Sequence, residues 1–331
     1  MPIVEKMPSE MLLMATNSGL AHLFRNTSGE VVIPKVEAIQ VKNDPTTEVE
    51  IWEDFARNLL WLNDEGRSHT SIDTFAKKLF VRKDFDSLKK LKATLSAFFT
   101  LRQVQNFDKR YDAFFATIID EDPFALPSHV RIVSWNYDWQ FERAYSEYTG
   151  LKHLIDLQGK LNEISKFSEG KNDATKFSLT KINGSVGFYS RVKSPFNYVN
   201  VLPSADFKSE SQKILKTYTD FLFNKANEWE STLSFSWESE WGKGNIVNTA
   251  KENISDSEVL VIIGYSFPNF NRRVDREIIG SIKNLKKIYI QTLKESAENI
   301  KIRFKAILPD FPENKIVLWT DCDQFLIPDE Y

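Results

Sequence analysis

Between Arg131 and Glu142 the chain changes character twice. Ile132 and Val133 form a β-branched apolar run, the polar triplet Asn136-Tyr137-Asp138 stops it, and an amphipathic helical pattern follows at once. That order predicts a strand feeding a helix through a tight turn, with an amide and a carboxylate at the strand's carboxyl end. In open α/β sheets this end is where ligands bind.

The remainder of the second half alternates in the same manner. The spacing predicts strands over 130–135, 177–182, 258–263, 287–291 and 315–319. Helices are predicted over 137–149, 208–229, 245–253, 271–283 and 294–307. The most apolar strand is Glu258-Val259-Leu260-Val261-Ile262-Ile263. A polar, Lys-, Asn- and Ser-rich loop is expected over 156–176. An irregular stretch with Pro195 and Pro203 and a Trp-rich segment from Trp229 to Trp241 are also expected. Strands alternating with helices imply βαβ units and a parallel sheet covered on both faces.

Residues 1–125 read differently. Helical patterns run over 6–25, 48–63, 70–82 and 85–121, with a break near Asn106–Asp108 and a capping signal at Thr70-Ser71 ahead of Ile72-Asp73. No buried strand is expected there. The fold class is therefore α/β, with an N-terminal helical layer or subdomain at 1–125 and the sheet-bearing core at 126–331.

Composition excludes several classes. A net charge of -3 supplies no basic field, so direct nucleic-acid binding is not expected. No apolar run reaches the length of a membrane span and the N-terminus lacks a signal-peptide order, so a cytoplasmic protein with no membrane contact is expected. One cysteine, Cys322, rules out an intrachain disulfide and any multi-cysteine zinc site. The histidines His22, His69, His129 and His153 show no metal-ligand spacing, so no metal is expected.

Three predicted strands end in unusual polar residues: Asn136-Tyr137-Asp138, then Asn183-Gly184-Ser185, then Gly264-Tyr265-Ser266. Glycine at such a turn admits positive φ and close approach of a ligand to the backbone. A hydroxyl or N–H beyond it can bind a ribose or phosphate oxygen. Each triplet also has a plainer reading, as a helix cap or an ordinary turn. Together they point to a nucleotide crevice.

These residues carry a resemblance. Ser134-Trp135-Asn136-Tyr137-Asp138 with Glu142, then Lys181-Ile182-Asn183-Gly184-Ser185, then Ile263-Gly264-Tyr265-Ser266-Phe267 with Asp275, resembles the sirtuin-like NAD-binding family. The closer likeness is to its bacterial, antiphage-defence branch without the zinc module. The likeness spans roughly 128–325, and Ser71-Ile72-Asp73 adds to it. It implies a Rossmann-like sheet that binds NAD, as ligand or as the substrate of nicotinamide–ribose cleavage. It also implies ADP-ribose-like nucleotides as alternative ligands, and a homo-oligomer or a defence-complex protein as partner.

By the resemblance, Asn136 acts at the nicotinamide ribose, with Asn183 and Asp138 as further candidate catalytic residues. Tyr137, Gly184, Ser185, Gly264, Tyr265 and Ser266 are the candidate cofactor-binding residues. Two departures stand out. The family's second motif carries a histidine general base where this chain has Asn183, and an amide cannot take a proton. The family also opens with a strand and a Gly-Ala-Gly-x-Ser turn facing the pyrophosphate, whereas Met1-Pro2-Ile3-Val4 resembles the segment after that turn. A shortened chain and a lost cradle both remain open, and an absent first strand would leave an apolar slot in the sheet.

Other candidates have bland readings. Arg272-Arg273 could hold a phosphate but reads better as a solvated patch paired with Asp275 and Glu277. Trp229, Phe235, Trp237 and Trp241 could stack a base but read better as packing. His69 and His153 could replace the missing base, although His153 reads as a surface residue. Glu142 and Asp138 could serve as carboxylate bases, and Asp138 reads better as a turn-orderer.

Overall fold

The computed structural model describes residues 11, 14, 45–105, 107–165, 172–190, 207–223, 229–235, 237–238 and 246–331. The helix expected over 6–25, Pro195, Pro203 and Trp241 lie outside the described residues, apart from Met11 and Met14, which are helical. No helix among the described residues is long and apolar enough to cross a membrane.

Two compact units divide the chain. One takes residues up to 106 together with 186–233, and the other takes 107–185 and 234–331. This grouping departs from a division near residue 125 in two places. The helix at 109–118 belongs with the sheet-bearing unit, and residues 186–233 belong with the N-terminal helices.

The first unit contains helices α1 (Glu48–Ser68), α2 (Ile72–Val81), α3 (Phe85–Gln105) and α7 (Phe207–Leu222). Strands β4 (Gly184–Ser190, from Val186 onward) and β5 (Trp229–Leu233) pair with each other in the same unit. Ser71 caps α2 through the Thr74 N–H, as the sequence predicts, and Thr47 and Glu50 close a reciprocal capping box at the start of α1 that was not among the features expected from the sequence. Helix α3 is buried on every side from Ala93 to Leu101, with Leu95, Phe98 and Leu101 alongside Thr94, Ser96 and Thr100. Two of its hydroxyls are satisfied within the helix, Thr94 donating to the Lys90 carbonyl and Thr100 to that of Ser96, and the Ser96 hydroxyl lies 3.2 Å from that of Ser231 on β5. Such bonding is what lets a polar residue sit in such a core.

The second unit holds α4 (Lys109–Ile118), β1 (Arg131–Ser134), α5 (Gln140–Thr149), α6 (Leu154–Lys160), β2 (Glu163–Ile164) and β3 (Ser178–Lys181). It continues with α8 (Ile246–Ile254), β6 (Val259–Ile263), α9 (Arg272–Ile279), β7 (Lys287–Gln291), α10 (Ala297–Lys305) and β8 (Ile316–Trp319). Helix α4 joins this unit because Phe115 packs on Phe141 and Tyr145 of α5, at 4.6 and 5.2 Å between ring centroids.

Two three-stranded parallel sheets form, in the orders β1-β3-β2 and β6-β7-β8. Arg131 faces Ser178 and Ser134 faces Lys181 in the first; Val259 faces Lys287 and Ile263 faces Gln291 in the second. Parallel sheets flanked by helices make the chain α/β and consistent with a Rossmann-like fold.

Three expectations need correction. The polar stretch 156–176 is not all loop: α6 and β2 form because Leu154, Leu157 and Leu161 share a buried face. Strand β3 stops at Lys181, and Gly184 and Ser185 begin β4 rather than closing a strand. The Trp-rich segment starts with β5, whose Trp229 lies in the first unit, whereas Phe235 and Trp237 lie in the second and stack at 5.2 Å.

Candidate functional site

The turn after β1 is built by bonds to the chain on either side of it. The Asn136 N–H donates to Ser134 Oγ at 3.1 Å, which bends the backbone out of the strand. Asp138 Oδ1 accepts the Gln140 N–H at 3.2 Å and so starts α5. From the end of β3, Lys181 Nζ donates to the Asp138 carbonyl at 2.6 Å, and Asn183 Nδ2 donates to the Trp135 carbonyl at 3.0 Å. The Asn183 carbonyl in turn accepts the Ser234 N–H at 3.0 Å. Asn183 is 4% exposed and fastens the turn.

Lys181 is buried, and its ammonium pairs with Glu142 and lies 4.4 Å from the Trp139 ring centroid. Burial pushes the Glu142 carboxyl up to about 8, while Lys181 pulls it down and the neighbouring Glu163 raises it further. Burial likewise raises Asp138, opposed chiefly by Lys181.

The turn after β6 presents Gly264 at φ +61, with nothing within 4 Å of where a Cβ would stand. Its N–H donates to the Gln291 carbonyl at 3.0 Å. Tyr265 stacks on Trp135 at 4.7 Å and donates its hydroxyl to Asp275 Oδ1 at 2.9 Å, while Asn271 Nδ2 donates to the same hydroxyl. Asp275 is fully buried, and burial pushes it up to about 7, against the hydrogen bond from Tyr265. It therefore does not pair with Arg272 or Arg273 as the sequence suggested. Arg272 instead donates to Asn269, and Arg273 to Glu277, both at the surface.

Both turns open onto one cavity of about 870 Å³. Trp135, Asn136, Asp138, Lys181, Gly264 and Tyr265 line it at the carboxyl ends of the strands. Asn136 is exposed there, with Nδ2 3.4 Å from the hydroxyl of Tyr111. Trp135 Nε1 and Asp138 Oδ2 are buried and have no hydrogen-bond partner among the described residues. They are one donor and one acceptor.

Of the expected site residues, the fold brings Asn136, Asp138, Gly264 and Tyr265 together around this cavity. Tyr137, Asn183, Gly184, Ser185 and Ser266 do not line it. Tyr137 sets its ring edge-on to Phe235 at 6.4 Å, Gly184 turns the chain at φ +63, and Ser185 is buried at the start of β4. Ser266 is exposed, and its carbonyl accepts from Arg303 at 2.9 Å. Tyr111 lines the same cavity without any signal in its sequence context.

His153 is an exposed N-cap residue of α6, and His129 lines the cavity just ahead of β1, at the opposite end from Asn136. His69 belongs to the first unit, where Lys78 lies 3.1 Å from its Nε2. Among the described residues no group of three or more His, Cys, Asp or Glu side chains is placed to hold a metal ion.

Comparison with protein-family models, with curated proteins and with solved structures finds no match to this chain.

Proposed function

We propose that the crevice at the carboxyl ends of β1 and β6 binds NAD or a related nucleotide such as ADP-ribose, in the manner of a sirtuin-like protein, and hydrolyses the nicotinamide–ribose bond. The observation that carries the reading is the meeting of Asn136 and Gly264-Tyr265 at the mouth of one cavity, at the ends of two parallel strands. The residues present fit a ribose-bearing ligand. Trp135 Nε1 and Asp138 Oδ2 offer a buried donor and acceptor lacking partners among the described residues, and Gly264 leaves open space beside its backbone.

In this reading Asn136 orients the ribose and the attacking water through its exposed amide. Tyr265 and Trp135 wall the site, and Lys181 holds the turn in place. The bond between the anomeric carbon and the nicotinamide nitrogen breaks with its electron pair leaving on nitrogen. Water then adds to the anomeric carbon and releases a proton. Preorganised dipoles around an oxocarbenium-like state supply the stabilisation.

A second reading has one observation in its favour. Asn183 stands where a general base is expected, and its amide is committed to the Trp135 carbonyl. That arrangement suits a protein that binds the nucleotide without turning it over, as a sensor or as a scaffold for an oligomer or a defence-complex partner.

The test is NAD consumption, read as nicotinamide release, with NAD binding by calorimetry alongside. Release that disappears in Asn136→Ala supports the hydrolase; release unchanged in that variant overturns the role of Asn136. Binding without release supports the sensor, and absence of both overturns the nucleotide site. Asn183→His is expected to raise release where a missing base is the sole defect.

A further inference from the structure

The same cavity continues from its mouth along the whole length of two strands, and the residues that line it show where it lies. From β1 it touches every residue in the unbroken run 129–136, and from β6 every residue in the run 256–265. Successive side chains of a strand point to opposite faces of the sheet. A cavity over one face would touch alternate residues, as this one does in β3, with Leu179 and Lys181 alone. Contact with every consecutive residue places it at the strand edges. Among the described residues β1 pairs with β3 alone and β6 with β7 alone, so each turns an unpaired edge toward this space.

The two strands run in the same direction on either side of it, because Trp135 just beyond β1 stacks on Tyr265 just beyond β6 at 4.7 Å. Their composition is that of interior strands. Ile132-Val133 and Val259-Leu260-Val261-Ile262-Ile263 are continuous apolar runs of the kind found in parallel strands buried on both faces. Yet every residue of β1 is only half-buried, and Ile263 is 37% exposed. The walls above and below are apolar as well: Ile254 on α8, Ile278 on α9 and Ile282 just beyond it, Phe114 and Ile118 on α4, and Leu326 near the C-terminus.

We infer that this space is a strand-acceptor slot, which takes an extended apolar peptide segment of about five residues between β1 and β6 and joins the two sheets into one. The occupant follows from the backbone. Two facing edges present N–H and C=O groups on both sides, and leaving such groups unpaired inside a protein costs about as much as a lost hydrogen bond each. A lipid or an apolar small molecule would fill the volume and pair neither edge. An inserted β-strand pairs both, and its alternating side chains meet the apolar walls on both faces. One end of the strand would emerge beside Asn136 and Gly264, so the insertion would also complete the floor of the crevice. The inference stands on topology and does not depend on the nucleotide reading.

The experiment uses the full chain and a fluorescein-labelled peptide with an alternating Val-Ile core between lysine pairs. A second peptide of the same sequence carries N-methylated core amides. Saturable binding of the first is expected, together with hydrogen exchange at least about tenfold slower at the amides of 131–134 and 259–263. The N-methylated peptide, which keeps the side chains and loses the donors, is expected not to bind. Equal binding of both peptides would mean an apolar cavity and would overturn the strand assignment. So would protection confined to other segments, or no binding of the first peptide.

Discussion

Trp135 stacks on Tyr265 with their rings tilted by 28°, joining the turn after β1 to the turn after β6. Neither residue belongs to the same sheet ladder as the other, so this aromatic contact is one of the ties between the two sheets at the site. Removing either ring should cost more than its burial. A double-mutant cycle with Trp135→Leu and Tyr265→Leu is expected to give a coupling of about 0.5–1.5 kcal/mol in urea denaturation. Additive losses would show that the stack carries no energy of its own.

Tyr265 also holds a polar chain. Its hydroxyl gives a hydrogen bond to Asp275 and takes one from Asn271. Tyr265→Phe keeps the stack and strands both partners, so a loss of about 1–3 kcal/mol is expected. Asp275 should titrate still higher in that variant, because the bond that lowers it is gone. Carboxyl titration followed by infrared or NMR spectroscopy reads that shift directly.

Asp275 makes stability depend on pH with a definite sign. Its carboxyl titrates near 3.8 when unperturbed and near 7 in the fold, so between those values the folded chain holds a proton that the unfolded chain has released. Its contribution is fully present below about 4 and is lost as the pH rises through about 7. Glu142, raised from 4.5 to about 8, acts in the same direction. Denaturant midpoints are expected to fall across this window, and Asp275→Asn should flatten the fall. An unchanged slope in that variant would remove Asp275 from the account.

Lys181 and Glu142 form a buried pair, and breaking such a pair costs more than replacing it. Lys181→Met is expected to destabilise by about 3–5 kcal/mol, since it leaves Glu142 beside Glu163 and removes the bond to the Asp138 carbonyl. Lys181→Met with Glu142→Leu should be less destabilised than the single variant. Thermal unfolding of the two proteins side by side decides the matter.

Gly264 separates backbone cost from crowding. At φ +61 with open space around its Cα, Gly264→Ala meets no atom but must hold a left-handed backbone. About 1–2 kcal/mol is expected, and less for Gly264→Asn, which visits that region more readily. A much larger loss would mean that the space is not open.

Much of the site was legible because it is local. Asn136 and Asp138 follow a β-branched run and precede a helix, and Gly264 follows the most apolar strand, so their positions at strand ends could be read from periodicity alone. Asn183 could be placed near a strand end but not given its partner, because the Trp135 carbonyl it binds lies 48 residues away in sequence. Tyr111 was invisible for the same reason. Strands β2, β4 and β5 were missed: β2 spans two residues, Glu163–Ile164, and β4 opens on glycine, so neither carries a readable alternation.

By itself the sequence determined strands β1, β3, β6, β7 and β8, the helices that alternate with most of them, and the polar residues at the turns after β1 and β6, since these depend on side-chain spacing and backbone preference over a few residues. The tertiary structure decided which strands pair and which do not, that Lys181 is buried against Glu142, and that the ends of β1 and β6 meet at one cavity. Those outcomes depend on hydrogen-bonded ladders, burial and charge placement among residues distant in the chain, where spacing along the sequence carries no information.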